Sequence, residues 1–187
     1  MKKSIKNYLH SFVLLGILLF IDQVYGDGDS FEYNQYNNYG IVGTIHTPSA
    51  RTFDEGVHGI TVYYGDPNQT VTLSANPFEW FEASFFYTNV QDRPYCYDFT
   101  SPTCLQDFKD KGFNFKVRLK EQGKLPAIAI GLNDFAGTGI YSSEYIVGSY
   151  GINRTDFHFG LGFGLLDGSD LNFKNPLTYI SDKFNDR

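Results

Sequence analysis

The sequence predicts an all-β protein, an antiparallel β-barrel of the transmembrane type that follows a cleaved signal peptide. Three observations support this prediction. The 187 residues include 18 Phe, 14 Tyr and 19 Gly, residue types that favour strands and turns over helical bundles. Large apolar residues alternate with small or polar residues along most of the chain, with the period of a β-strand. The longest apolar run lies near the first residue.

Residues 1–26 have the features of a secretory signal peptide. Three Lys precede an apolar run of ten residues, Phe12–Ile21, and small residues follow it. A membrane-spanning helix needs roughly 20 apolar residues, so this run is too short to be one. Because no Cys lies near the expected cleavage point, lipid attachment there is not expected. Residues 27–39 are polar and rich in Asn and Tyr, and we expect them to form a loosely ordered leader.

Residues 40–187 contain the alternating segments. In Thr155–Leu165, Phe and Leu alternate with His158 and three glycines. In Gly112–Glu121, large apolar residues alternate with Asn114 and three cations. Turn-forming residues separate the segments. The predicted strands are Gly56–Tyr64, Gln69–Ala75, Glu79–Thr88, Gly112–Glu121, Leu125–Asn133, Ser143–Gly151 and Thr155–Leu165, with a weaker eighth at Gly40–His46.

Two architectures share this alternation. In a secreted soluble β-sandwich the apolar faces form the core. In an outer-membrane barrel the apolar face meets lipid and the polar face lines the lumen. Phe-rich apolar faces and a His-Gly-Gly-Gly face on the last strand favour the barrel. Tyrosines near strand ends favour it too, because they are consistent with an interfacial aromatic girdle: Tyr63, Tyr64, Tyr87, Tyr141 and Tyr145. The alternative is a sandwich that binds carbohydrate through exposed Tyr and Trp.

Composition and motifs exclude several classes of function. The chain has 15 Lys and Arg against 21 Asp and Glu, which disfavours general nucleic-acid binding. Asp134 and Glu144 flank a Gly-rich loop without the spacing of a catalytic pair, so we expect no enzyme. No metal or cofactor site is expected, because no His pair has ligand spacing. Cys96 and Cys104 lie in one polar loop and could form a disulfide in an oxidising compartment.

Six residues are candidates for a lumen surface that contacts glycan. Lys116, Arg118 and Lys120 form a basic stripe on one strand face, which would attract an anionic polysaccharide. The alternative, which we favour, is an ordinary polar face whose cations pair with acids of the next strand, such as Glu82. The set is completed by Glu144, expected in a lumen network, and His158.

Several short motifs follow one another in a distinctive order. They are Gly43–Arg51, Asn76–Ala83, Lys109–Phe113, Leu125–Asp134, Gly137–Gly139, Ser143–Val147, Asp156–Phe157 and Asn175–Leu177. Together they resemble the YjbH family of Gram-negative envelope proteins, from about Tyr39 to the last residue. The resemblance implies an outer-membrane barrel that assists exopolysaccharide or capsule secretion. It also implies contact with outer-membrane lipid, with polysaccharide and with other export proteins.

Two features depart from the family pattern. Members are typically several times longer, and many carry a lipobox Cys that this sequence lacks. Residues Lys183–Arg187 do not resemble the aromatic-terminated last strand of a finished barrel. We therefore expect either the amino-terminal piece of a larger barrel or a small barrel of about eight strands that closes alone.

Overall fold

The fold was analysed in a computed structural model, which describes residues 34–95, 106–167, 175–181 and 184. It confirms the all-β prediction, with antiparallel strands and one short 3-10 helix in this part of the chain. The strands are β1 (Gly43–Thr44), β2 (Thr47–Pro48), β3 (His58–Tyr64), β4 (Asn68–Phe78), β5 (Phe81–Pro94), β6 (Asp107–Lys120), β7 (Ala127–Phe135), β8 (Ser143–Ile152) and β9 (Thr155–Gly164). The 3-10 helix spans Pro176–Tyr179.

Strands β3 to β9 form one seven-stranded antiparallel sheet, and each strand pairs with its neighbours in sequence. All seven clearly alternating segments are therefore confirmed as strands. Strands β3 and β9 are the edges of the sheet, and in the described part of the chain they do not pair with each other. The sheet is open in this structure, so closure into a barrel stays a prediction.

The two ends of the sheet differ in the length of their connections. At one end, two-residue turns join β4 to β5 and β8 to β9. The second of these turns contains Asn153 at φ 55°, a conformation that tight hairpin turns require. The same end has the six-residue connection from β6 to β7. At the other end, three residues join β3 to β4, residues 136–142 join β7 to β8 and residues 95–106 join β5 to β6. We call these the short-turn end and the long-loop end.

The alternation gives the sheet two unlike faces. Directly paired residues of neighbouring strands point to the same side, so the register defines each face. The outer face is apolar and open to the surroundings: Val62 is 73% exposed and Leu161 is 64% exposed. The inner face is polar and buried: Glu82 and Lys116 are both 0% exposed. This distribution is the reverse of a soluble sandwich, in which the apolar face would be covered.

An irregular stretch, residues 35–52, lies across the inner face and buries it. We call it the inner segment. Its backbone carbonyls at Tyr39 and Gly40 accept hydrogen bonds from Asn114 and Ser74 of the sheet. A buried chain without regular structure needs such partners for its peptide groups. The polar inner face supplies them.

The prediction of an eighth sheet strand at Gly40–His46 is wrong. Only Gly43–Thr44 of this stretch is a strand, and it pairs with the short strand β2. Ile45 turns the chain at φ 54°. A Cβ atom on Gly43 would lie 2.2 Å from the carbonyl oxygen of Thr47, so the tight hairpin requires glycine here.

The carboxyl end of the predicted leader is ordered rather than loose. Tyr36 forms a β-bridge with Val42. Asn37 is 4% exposed, and its side chain accepts hydrogen bonds from the backbone N–H groups of Tyr39 and Ile41. Residues 1–33, which include the predicted signal peptide, lie outside the described residues.

A small apolar cluster lies on the inner face of β7 and β8. It consists of Ala50, Ala127, Ala129, Tyr145 and Val147, with Leu166 packed against it. A Cβ atom on Gly162 would lie 2.6 Å from Cβ of Leu166, which explains a glycine on the inner face of β9. Within the described ranges, no helix has the length and apolar character needed to cross a membrane.

Candidate functional site on the inner face

The centre of the inner face is a fully buried ion pair. Glu82 and Lys116 are opposite each other in the register of β5 and β6. Lys116 Nζ lies 2.6 Å from Glu82 Oε2, and both side chains are 0% exposed. The pair therefore confirms the interpretation of a polar face with cross-strand ion pairs.

Val42 of the inner segment closes this ion pair into a ring. Its N–H donates to Glu82 Oε1 at 2.8 Å, and its carbonyl accepts from Lys116 Nζ at 3.0 Å. A buried charge is costly unless it is paired and hydrogen-bonded. Here each charge has both its counter-charge and a peptide group of the inner segment. The pair therefore attaches that segment to the sheet.

The other two cations of the predicted basic stripe are not displayed as a row of free charges. Arg118 Nη2 lies 2.5 Å from Glu121 Oε1, three residues along the chain. Lys120 is 9% exposed. The stripe therefore offers a passing anion little positive charge.

Arg51 forms a second attachment point at the short-turn end. Its guanidinium makes two hydrogen bonds of 2.9 Å to the carboxylate of Asp156, a bidentate pair. It also donates to Gln122 Oε1. Gln122 in turn bonds both the N–H and the carbonyl of Gly151. This Arg51 cluster joins the inner segment to three different parts of the sheet.

His158 lies beside the Arg51 cluster, on the inner face as predicted. Its Nδ1 is 2.8 Å from Ser149 Oγ, and its Nε2 is 3.9 Å from Asp156 Oδ2. Ser149 Oγ also accepts from the backbone N–H of Ala50 at 2.8 Å. The imidazole therefore contacts Ser149 and Asp156, the two residues that bond Ala50 and Arg51 of the inner segment.

Glu144 lies on the opposite side from the other candidates. The register pairs it with Leu132 of β7 and Phe163 of β9, which belong to the outer face. Glu144 is 3% exposed, and Asn175, at the start of the 3-10 helix, donates from its Nδ2 to Glu144 Oε2 at 2.8 Å. This placement corrects the expectation that Glu144 shares a face with Lys116.

A cavity of about 50 Å³ opens on the inner face toward the long-loop end. We call it the tyrosine pocket, after Tyr39, Tyr63 and Tyr141 in its lining. The His46 ring lies between two of them, with centroid distances of 5.6 Å to Tyr39 and 6.2 Å to Tyr63. On the other side, Tyr141 packs edge-on against Phe86.

Sequence reasoning missed this pocket. It assigned Tyr63 and Tyr141 to an interfacial girdle because of their positions near strand ends. The parity of β3 contained the correct signal: Tyr63 alternates with Val62 and Tyr64, so it shares a face with Thr61. The contributions of Tyr39 and His46 depend on the course of the irregular inner segment, which has no periodic pattern. Cys96 and Cys104 lie outside the described residues, so their disulfide stays a prediction.

The outer face has a continuous aromatic stripe. Phe78 and Trp80 stack at 5.3 Å beside the β4–β5 turn. The stripe continues through ring contacts from Phe81 to Phe115 and from Phe115 to Phe135. It runs from the short-turn end of β5 across β6 to β7.

Comparison with known proteins shows which family this chain is similar to. Residues 35–187 match the YjbH family model, described as exopolysaccharide biosynthesis protein YbjH. The chain is 38% identical over 149 residues to the uncharacterized lipoprotein YjbH of Escherichia coli (strain K12), covering 79% of this chain. It spans only 21% of that relative's length. No solved structure matches.

Proposed function

Because this chain belongs to the YjbH family of exopolysaccharide biosynthesis proteins, we propose that its sheet is part of an outer-membrane β-barrel that assists exopolysaccharide secretion or assembly. The role is passive: a polar inner face and its loops guide glycan, and no bond is made or broken. The E. coli relative is named a lipoprotein, which supports an exported protein of the cell envelope.

The observation that carries the proposal is the inverted distribution of polarity. Soluble monomers rarely expose large contiguous apolar patches, whereas the lipid-facing side of a membrane barrel is apolar throughout. Here the apolar face is the open one, and the buried face holds charges and amides. The exposed side chains of the apolar face include Ile60, Val62, Val71, Leu73, Phe113, Leu119, Ile130, Ile146, Phe157, Phe159 and Leu161.

The lengths of the strands support a membrane-spanning sheet. On β6 the outer residues from Phe113 to Leu119 are all apolar, and Lys109 and Lys111 precede them on the same face. Six steps of about 3.3 Å give roughly 20 Å along the strand. Strands β4 to β9 have 9 to 14 residues, against the 9–11 or so that a tilted spanning strand needs.

The unequal ends of the sheet support an orientation. In bacterial outer-membrane barrels, short turns face the periplasm and longer loops face outward. We therefore place the short-turn end, with Trp80, at the periplasmic interface and the long-loop end toward the outside of the cell. Aromatic side chains near strand ends are typical of these interfaces.

The test is fractionation of the envelope of cells that express this chain. We expect it in the outer-membrane pool after carbonate washing, with a gel mobility that changes on boiling. A soluble chain without a mobility shift would overturn the barrel, and the carbohydrate-binding sandwich would then take its place.

Substitution of Leu161 by Arg sharpens this test. Leu161 lies in mid-strand on the outer face, where a lipid-facing Arg costs about 2–4 kcal/mol. We expect L161R to lose membrane retention, while Thr155→Arg, at the exposed start of the same strand, should keep it. Exopolysaccharide release should fall when the corresponding gene is deleted in its host; unchanged release would refute the secretion role.

A further inference from the structure

We propose that the tyrosine pocket binds a sugar unit of a neutral glycan. This inference deepens the proposed function and rests on it for the claim that a glycan passes the inner face. It assigns a place and a chemical class to that contact, which the basic stripe does not provide.

The pocket combines aromatic walls with access from outside. His46 is exposed, and Tyr39, Tyr63 and Tyr141 are half-buried, in contrast to the sealed ion pair at the centre of the inner face. An apolar ring face of a sugar packs well on aromatic side chains, while their polar ends remain available for hydrogen bonds. Two such walls, one of Tyr39, His46 and Tyr63 and one of Tyr141, line the same opening.

Several polar groups at the opening have unused hydrogen-bonding capacity. Asn68 Oδ1 accepts from the Tyr141 hydroxyl at 2.7 Å, and its amide N–H groups remain available to a ligand. Within the described residues, the hydroxyls of Tyr39 and Tyr63 make no side-chain hydrogen bond. Hydroxyl and amide groups both donate and accept, as sugar hydroxyls do.

The charges around the pocket select against an anionic glycan. Its lining includes no Asp, Glu, Lys or Arg. Two buried acids stand behind it: Asp134 Oδ2 accepts from the backbone N–H of Tyr141 at 3.0 Å, and Asp110 is paired in register with Thr88 of the lining. The cations of the basic stripe are already engaged, Lys116 with Glu82 and Arg118 with Glu121. Arg93, which packs over the Phe108 ring at 4.6 Å, also acts on Tyr141, but Asp110 acts on it more strongly and in the opposite direction. A neutral sugar is therefore favoured over a uronic acid.

The size of the cavity limits what it holds. A volume of about 50 Å³ is a third of the roughly 150 Å³ cavity that accommodates benzene. The pocket therefore takes one edge of a sugar ring, with the rest of the glycan outside. We expect each sugar unit to bind weakly, so that the glycan can move past the pocket during secretion.

The experiment measures oligosaccharide binding by the full chain in detergent, with the boiling-dependent mobility shift as the criterion of folding. Maltohexaose, cellohexaose and mannohexaose are the neutral probes, and hexagalacturonate is the anionic probe. We expect at least one neutral probe to bind at least tenfold more tightly than hexagalacturonate. His46→Ala, in an exposed turn, and Tyr63→Ala should each weaken that binding about tenfold.

Tyr87→Ala is the matched control, because Tyr87 is an exposed tyrosine on the outer face of β5. It should leave sugar binding unchanged. A folded chain that binds none of the neutral probes, that prefers hexagalacturonate, or that binds equally well as H46A overturns the inference while the barrel stands. A chain that binds neutral probes without a mobility shift overturns the barrel alone, and one with neither property overturns both.

Discussion

Replacement of Lys116 by Met removes one charge from the buried ion pair and leaves the other in place. Lys116 and Glu82 are both inaccessible to solvent, 2.6 Å apart. In the K116M variant the Glu82 carboxylate keeps the hydrogen bond from the Val42 N–H but loses its counter-charge. The Val42 carbonyl loses one donor, Lys116 Nζ, and keeps the hydrogen bonds from the N–H and the hydroxyl of Ser49.

The expected loss of folding free energy follows from the contacts that this variant loses and keeps. Breaking a buried pair by removing one partner typically costs 3–5 kcal/mol. We expect about 3 kcal/mol, since the Val42 N–H still stabilises the carboxylate. Because about 1.4 kcal/mol is a tenfold change, the folding equilibrium constant should fall by roughly two orders of magnitude. The double variant Glu82→Gln/Lys116→Met removes both charges, and it should recover most of the loss.

The assay is denaturant unfolding of the chain in detergent micelles, followed by the fluorescence of its one Trp. Arg118→Met is the matched control. It lies two residues along the same strand and pairs with Glu121, whose side chain is 70% exposed, so its removal should cost less than about 1 kcal/mol. Equal denaturant midpoints for K116M and R118M would refute the argument that burial determines how much each ion pair contributes to stability.

Three further predictions concern other parts of the molecule. Trp80 is 51% exposed beside the β4–β5 turn, so lipids brominated near the headgroup should quench its fluorescence more than lipids brominated at the chain end; the reverse order would place the turn elsewhere. Arg51→Met should destabilise the inner segment by about 1.5–3 kcal/mol, the range for hydrogen bonds to charged groups. Amide hydrogen exchange in residues 35–52 should therefore increase. Unchanged exchange would show that the Arg51 cluster is not an attachment point. Burial and the charge of Glu82 raise the pKa of Tyr36 to about 12 in the folded protein, whereas in the unfolded chain this tyrosine ionises near its ordinary pKa of 10. The free energy of unfolding should therefore fall between pH 10 and 12, and Tyr36→Phe should reduce that loss. Denaturant midpoints measured at each pH would show both effects.

The sheet could be predicted from the sequence because its signal is local. Each strand of the meander alternates strongly, as in Phe157 to Phe163, and turn-forming residues separate most of the strands. Cross-strand pairing of Glu82 with Lys116 could also be predicted, since opposite charges on neighbouring strands are common. Alternation shows that two faces differ, but not which one is covered. Only the position of the inner segment answers that question.

The errors have a common physical origin. Gly40–His46 contains strand-forming residues, yet its course is determined by contacts with side chains 34 to 74 positions away in sequence. Glu144 was placed on the inner face from its charge, although the parity of β8 assigns it to the outer face with Ile146. A polar residue on an apolar face requires a cover, and Asn175 supplies it from a distant part of the chain. Such long-range contacts have no local sequence signature.

The attachments of the inner segment also set an order of folding events. The sheet is built from hairpins between consecutive strands, which require loops of 2 to 12 residues to close. The inner segment, in contrast, bonds residues 40, 74, 99 and 105 positions away, through Glu82, Lys116, Ser149 and Asp156. The contacts with Ser149 and Asp156 require β8 and β9, and all four contacts close much longer loops than the hairpins do. We therefore expect the segment that comes first in the chain to dock last, and substitutions at Arg51 to accelerate unfolding without slowing assembly of the sheet.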